Sequence, residues 1–162
     1  MLKVKSKLLH VSQNGFTLIE LVVVFAVIGI MSALGIASLA SYGNKQSLET
    51  AALNVADMVN LARARSLSQV KPSECGTNTL TGYQIDITIA ANQYALSVQC
   101  TNSYTLVSEK LPANISFASS SATTVLFPLL TGGSSSYNQI IINGYGANKI
   151  ININNTGNVS IQ

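Results

Sequence analysis

Residues 15–42, GFTLIELVVVFAVIGIMSALGIASLASY, hold a single charged side chain, Glu20, and the next does not come until Lys45. At about 1.5 Å per residue a helix of this length extends roughly 40 Å, enough to cross a hydrocarbon core of about 30 Å. The run is apolar on every side, so it reads as a helix buried in lipid or among other apolar helices. Within it, Glu20 is the anomaly. A carboxylate in hydrocarbon costs on the order of 2.5–3.5 kcal/mol even on forgiving insertion scales, so an intramembrane acid points to a partner charge. An interfacial glutamate reaching toward the headgroups is the alternative.

The charge distribution agrees with this. Lys3, Lys5 and Lys7 precede the run, while Lys45, Arg63, Arg65, Lys71, Lys110 and Lys149 balance Glu20, Glu49, Asp57, Glu74, Asp86 and Glu109. The net charge of +3 is therefore that of the leader, and reports a positive segment beside a membrane span rather than affinity for nucleic acid. A secretory signal cut after Ala37 or Ala40 is the competing reading, but it leaves Glu20 without a purpose.

Beyond the run, Leu48, Ala51, Ala52, Val55, Met58, Val59 and Ala62 recur at spacings of three and four, the stripe of an amphipathic helix. Glu49, Asn60 and Arg63 fall off that stripe. With no proline between Phe16 and Gln69, the two segments are expected to join, Gly43-Asn44 marking a bend. After Pro72 the period changes to two. Tyr83, Ile85, Ile87 and Ile89 alternate with polar residues, as do Tyr94, Leu96, Val98 and Cys100, giving a hairpin. Strands are expected near 104–108, 115–118, 125–127, 139–142, 149–153 and 159–161, with tight turns at Asn143-Gly144 and Thr156-Gly157-Asn158. The predicted architecture is α+β: a long N-terminal helix whose second half packs on an antiparallel sheet.

Cys75 and Cys100 are the two cysteines, both beyond the apolar run. An even pair in an exported domain predicts one disulfide, with two buried free thiols as the alternative. No catalytic constellation is present: the one histidine, His10, lies in the leader, and the acids are scattered. Neither a cofactor nor a metal is implied, since Asn152, Asn154 and Asn155 suit turns and sheet edges better than a calcium site, which usually takes carboxylates.

Gly15-Phe16-Thr17-Leu18-Ile19-Glu20, after a short basic leader and before an apolar helix, resembles the type IV prepilin class III signal. The resemblance implies a pilin-like fold. It also implies cleavage between Gly15 and Phe16 by a prepilin peptidase, N-methylation of Phe16, and an apolar helix retained for assembly. Glu20 would then pair with the new ammonium of Phe16, in a neighbouring subunit or its own, and set the register. The implied organisation is a leader 1–15, a transmembrane and assembly helix 16–43, an amphipathic half 44–71 and a β-rich domain 72–162. Implied partners are other pilin or pseudopilin subunits, the peptidase, an inner-membrane assembly platform, and the membrane before assembly. The implied location is the bacterial inner membrane, then a filament in the periplasm or at the cell surface.

Leu61-Ala-Arg-Ala-Arg-Ser-Leu67 is similar to the helix of GspH/FimT-like minor pilins and pseudopilins, so a minor, initiating subunit is expected, with a major pilin or a DNA-binding pilin as alternatives. For Arg63 and Arg65, capping or solvating a helix end is the simpler role. Two features depart from the family. Many pilins carry a kinking proline where this chain has Ala37, which leaves bending to Gly29, Gly35 and Gly43. Some FimT-like pilins bind DNA through a basic tail, whereas Gly157-Asn-Val-Ser-Ile-Gln162 has no cation; Lys149 is the nearest one, with Tyr137 and Tyr145 as stacking candidates.

Overall fold

The structure, a computed structural model, describes residues 15–135 and 138–162, with the side chains of all of these except 33–38. The leader cations, His10 and Tyr137 lie outside the described residues. Internal contacts divide the chain into two units between Ser41 and Tyr42, and that division falls within one helix, α1 (Leu18–Ser68).

In the first unit the described side chains are exposed, including Phe16, Leu18, Ile19 and Phe25. Among the described residues no other element of the unit covers them. Among the described residues no helix is long and apolar enough to cross a membrane. The expected span of 16–43 includes 33–38, whose side chains lie outside the described ones.

In the second unit α1 presents its stripe inward: Leu48, Ala51, Ala52, Val55, Met58, Val59 and Ala62 are all buried. The helix stops at Ser68, three residues short of the expected 71, because Gln69 takes a left-handed backbone (φ 53°) and Pro72 cannot continue a helix.

Among the described residues eight strands follow: β1 (Gly82–Thr88), β2 (Gln93–Gln99), β3 (Ser103–Lys110), β4 (Ile115–Phe117), β5 (Thr124–Pro128), β6 (Asn138–Gly144), β7 (Ala147–Ile153) and β8 (Val159–Ile161). They form two four-stranded sheets rather than one, ordered β3-β2-β1-β5 and β4-β6-β7-β8, and every pairing is antiparallel. The split arises because β5 returns to the free edge of β1, with Tyr83 opposite Phe127, whereas β4 is claimed by β6, with Phe117 opposite Ile142. β3 closes an edge of its sheet and carries an irregularity opposite Leu96/Ser97, a device that discourages further strand pairing.

Alternation decides what is buried. Tyr83, Ile85 and Ile87 from β1, Leu96 and Val98 from β2, Ile140 and Ile142 from β6, and Ile151 and Ile153 from β7 join the helix stripe in one core. Each such side chain contributes about 1.5–3 kcal/mol by leaving water. Tyr94 and Phe117 meet edge to face, centroids 6.2 Å apart, and link the two sheets.

The β6–β7 turn lies two residues beyond the expected Asn143-Gly144. Gly144 ends β6 and is buried, while Tyr145 and Gly146 form the loop, both with positive φ (53° and 76°). This is the backbone of a type I′ hairpin turn, for which Gly146 is well suited and Tyr145 is not.

Candidate functional site

Gly15, Phe16 and Thr17 are exposed and precede the helix. Phe16 keeps 77% of its surface in solvent. Helix α1 opens with two bonds to Thr17: its Oγ1 accepts the Glu20 N–H at 3.3 Å, and its carbonyl accepts the Leu21 N–H at 3.2 Å. Thr17 is thus the N-cap residue, satisfying one of the donors that a helix start leaves free. Glu20 falls in the first turn, where a carboxylate is favoured by the helix dipole. The Thr-x-x-Glu spacing is that of a capping box, a signal visible in the sequence but missing from the expectations above. In the structure it is the Glu20 backbone N–H that takes part, as the donor that Thr17 Oγ1 caps.

Arg63 does more than solvate a helix end. Its Nε donates to the Gly132 carbonyl at 2.8 Å, Nη2 to the Thr156 carbonyl at 3.1 Å and Nη1 to Asn158 Oδ1 at 3.3 Å. The rigid, forked guanidinium suits this task better than an ammonium would. One side chain thereby ties α1 to the loop after β5 and to the β7–β8 turn. That turn is itself pinned by Asn154 Oδ1, which accepts from Thr156 Oγ1 at 2.7 Å and from the Asn158 N–H at 2.8 Å. Arg65 sits in the last turn of α1, as the dipole favours. It also faces Tyr83, whose phenol burial pushes above its usual range and Arg65 partly draws back. The Tyr83 hydroxyl donates to the Val70 carbonyl.

Cys75, in a single 3-10 turn after Pro72, is joined to Cys100 just past β2, Cα to Cα 5.9 Å. Both are buried. The bond fastens the connection between helix and sheet to the end of the first hairpin.

The remaining polar features are structural. Lys149 pairs with Glu49 at 2.6 Å, so the cation nearest the C-terminal strands is already engaged. Tyr145 lies in the β6–β7 turn. Gln139 donates to Asn152 Oδ1 across β6 and β7 at 3.0 Å. One shallow hollow of about 330 Å³ lies between α1 and β3, lined by Asn54, Asp57, Met58, Leu61, Val107 and Glu109. A second, of about 360 Å³, lies beside the β6–β7 turn. Among the described residues no cluster of His, Cys, Asp and Glu is arranged to hold a metal.

The profile of the prokaryotic N-terminal methylation motif matches residues 11–36. The fold is similar to that of the minor pseudopilin EpsH from the type 2 secretion system of Vibrio cholerae, with a TM-score of 0.50, 9% identity, and coverage of 72% of this chain and 96% of that one. None of the curated proteins matches the chain. The chain thus joins a prokaryotic N-terminal methylation motif over residues 11–36 to an α+β fold similar to that of a minor pseudopilin.

Proposed function

We propose that the chain is a structural subunit of a type IV pilus or type II secretion pseudopilus, with no catalytic role. Its leader is removed between Gly15 and Phe16 by a prepilin peptidase, and Phe16 is then N-methylated. Before assembly the apolar helix holds the subunit in the bacterial inner membrane. An assembly platform there transfers it to a filament in the periplasm or at the cell surface, where neighbouring subunits cover the exposed apolar side chains. Glu20 pairs with the Phe16 ammonium and selects one axial register, although desolvation offsets much of that attraction. The likeness to a minor pseudopilin favours a minor, initiating subunit.

One observation carries this reading. The methylation motif spans residues 11–36, and inside it Gly15 and Phe16 are exposed, non-helical residues directly ahead of a capped apolar helix. The test is Gly15→Val in the native host. The wild-type chain is expected to lose its leader and run faster on a denaturing gel, and the variant to remain full length. Equal mobility of wild type with and without the peptidase would overturn the proposal.

A further inference from the structure

We infer that Thr17 is a positioning residue for leader removal, holding the Gly15–Phe16 bond in non-helical chain ahead of the helix; this rests on the processing proposed above. The argument begins with where α1 starts. An apolar helix beside a glycine has no intrinsic reason to stop at Leu18, and residues 18 and 19 (Leu, Ile) offer no capping oxygen. The boundary is set by Thr17, whose Oγ1 accepts the Glu20 N–H at 3.3 Å while its carbonyl already takes the first helical bond.

The sequence also supplies the competitor. Asn14 lies three residues before Thr17, and asparagine caps helices at least as well as threonine. A helix capped at Asn14 would absorb Gly15, Phe16 and Thr17 as its first three residues. The scissile bond would then lie inside the first turn. Backbone is cut most readily where it is exposed and free of regular structure, the state that Gly15 and Phe16 now have. The Thr17 cap therefore chooses between a helix that starts after the bond and one that starts before it.

The test uses the purified full-length chain in detergent micelles with a prepilin peptidase, following leader loss by intact-mass measurement. Thr17→Val keeps the β-branched shape and removes the capping oxygen. It is expected to be cleaved about five-fold more slowly, the size of one lost cap, with the Cα chemical shifts of Gly15 and Phe16 moving toward helical values. Thr17→Ser and Thr17→Asn both restore a capping oxygen and are expected to be cleaved within about two-fold of wild type. Cleavage of Thr17→Val at the wild-type rate would overturn the inference. So would rescue by Ser but not by Asn, because the peptidase would then be reading the hydroxyl itself. If wild type is not cut at all, the processing reading fails, and that outcome is distinct from both.

Discussion

Gly157 leaves the space that the Arg63 side chain occupies: a Cβ at 157 would lie 2.9 Å from Arg63 Nε and 2.1 Å from the Gly132 carbonyl oxygen, and the residue has φ 78°. The arginine and the glycine work as one device. The guanidinium can reach two carbonyls and an amide only because the turn passes close to the helix.

Replacing either member should therefore loosen the same region. Gly157→Ala is expected to cost about 2–3 kcal/mol, from left-handed strain together with a forced shift of the turn. Arg63→Ala is expected to cost about 1–3 kcal/mol, because carbonyls lose a charged donor. Arg63→Lys should recover only part of this, since an ammonium cannot fork between the two loops. Urea unfolding of the single and double variants checks the coupling. The double variant should be less destabilised than the two losses added together, as partners in contact are.

The alkaline limit of stability should depend on Tyr94 and Tyr83. Burial, and the hydrogen bond and charge of Glu109, push the Tyr94 phenol well above its usual value; its hydroxyl donates to Glu109 Oε2 at 2.8 Å. Tyr83 is raised too, chiefly by burial. A raised phenol pKa means that the folded chain holds protons which the unfolded chain has already released. Stability is therefore complete below about pH 10 and falls as pH rises beyond it. Absorbance titration should show these two phenols ionising above the ordinary phenol range, together with unfolding. Tyr94→Phe should flatten the alkaline decline while lowering stability near neutral pH by about 1 kcal/mol.

The Cys75–Cys100 bond closes a loop with a sequence separation of 25, so it should add about 3 kcal/mol by restricting the unfolded chain. Non-reducing electrophoresis of the protein made in an oxidising compartment is expected to show a compact species without free thiols. The Cys75→Ser/Cys100→Ser pair should unfold at lower denaturant with a steeper dependence on concentration, because its unfolded state exposes more surface. Two free thiols in that preparation would contradict this.

Local regularity explains what was legible in the sequence. The helix stripe from Leu48 to Ala62, and the alternation of Tyr83–Ile87 and Tyr94–Val98, each repeat within one element, so neighbours along the chain suffice to reveal them. Alternation assigns a residue to a face, however, and not a strand to a neighbour. Nothing in Val125-Leu126-Phe127 announces that it pairs with β1 rather than joining β4 and β6, so the second sheet was hidden. The turn at Asn143-Gly144 was misplaced for a tertiary reason. Gly144 is packed near Ile115 and Leu48, and that contact keeps it in the strand and moves the turn to Tyr145-Gly146. At the candidate site, Gly15, Phe16 and Glu20 belong to one short motif, which falls inside the methylation motif matched over residues 11–36. The N-cap role of Thr17 was equally local and was overlooked. Arg63 could be marked as lying off the stripe, but its partners lie far along the chain, beyond any local pattern.

That distance has a consequence for how the domain is made. Arg63 and the Thr156 carbonyl are 93 positions apart. During synthesis, the helix, the first hairpin and its cysteines all leave the ribosome before the residues that complete the Arg63 contacts exist. A nascent chain short of residue 158 holds the helix and the first hairpin but lacks the last of the partners of the Arg63 guanidinium. Closure of this clasp is thus a late event, one that separates a finished domain from one still under construction.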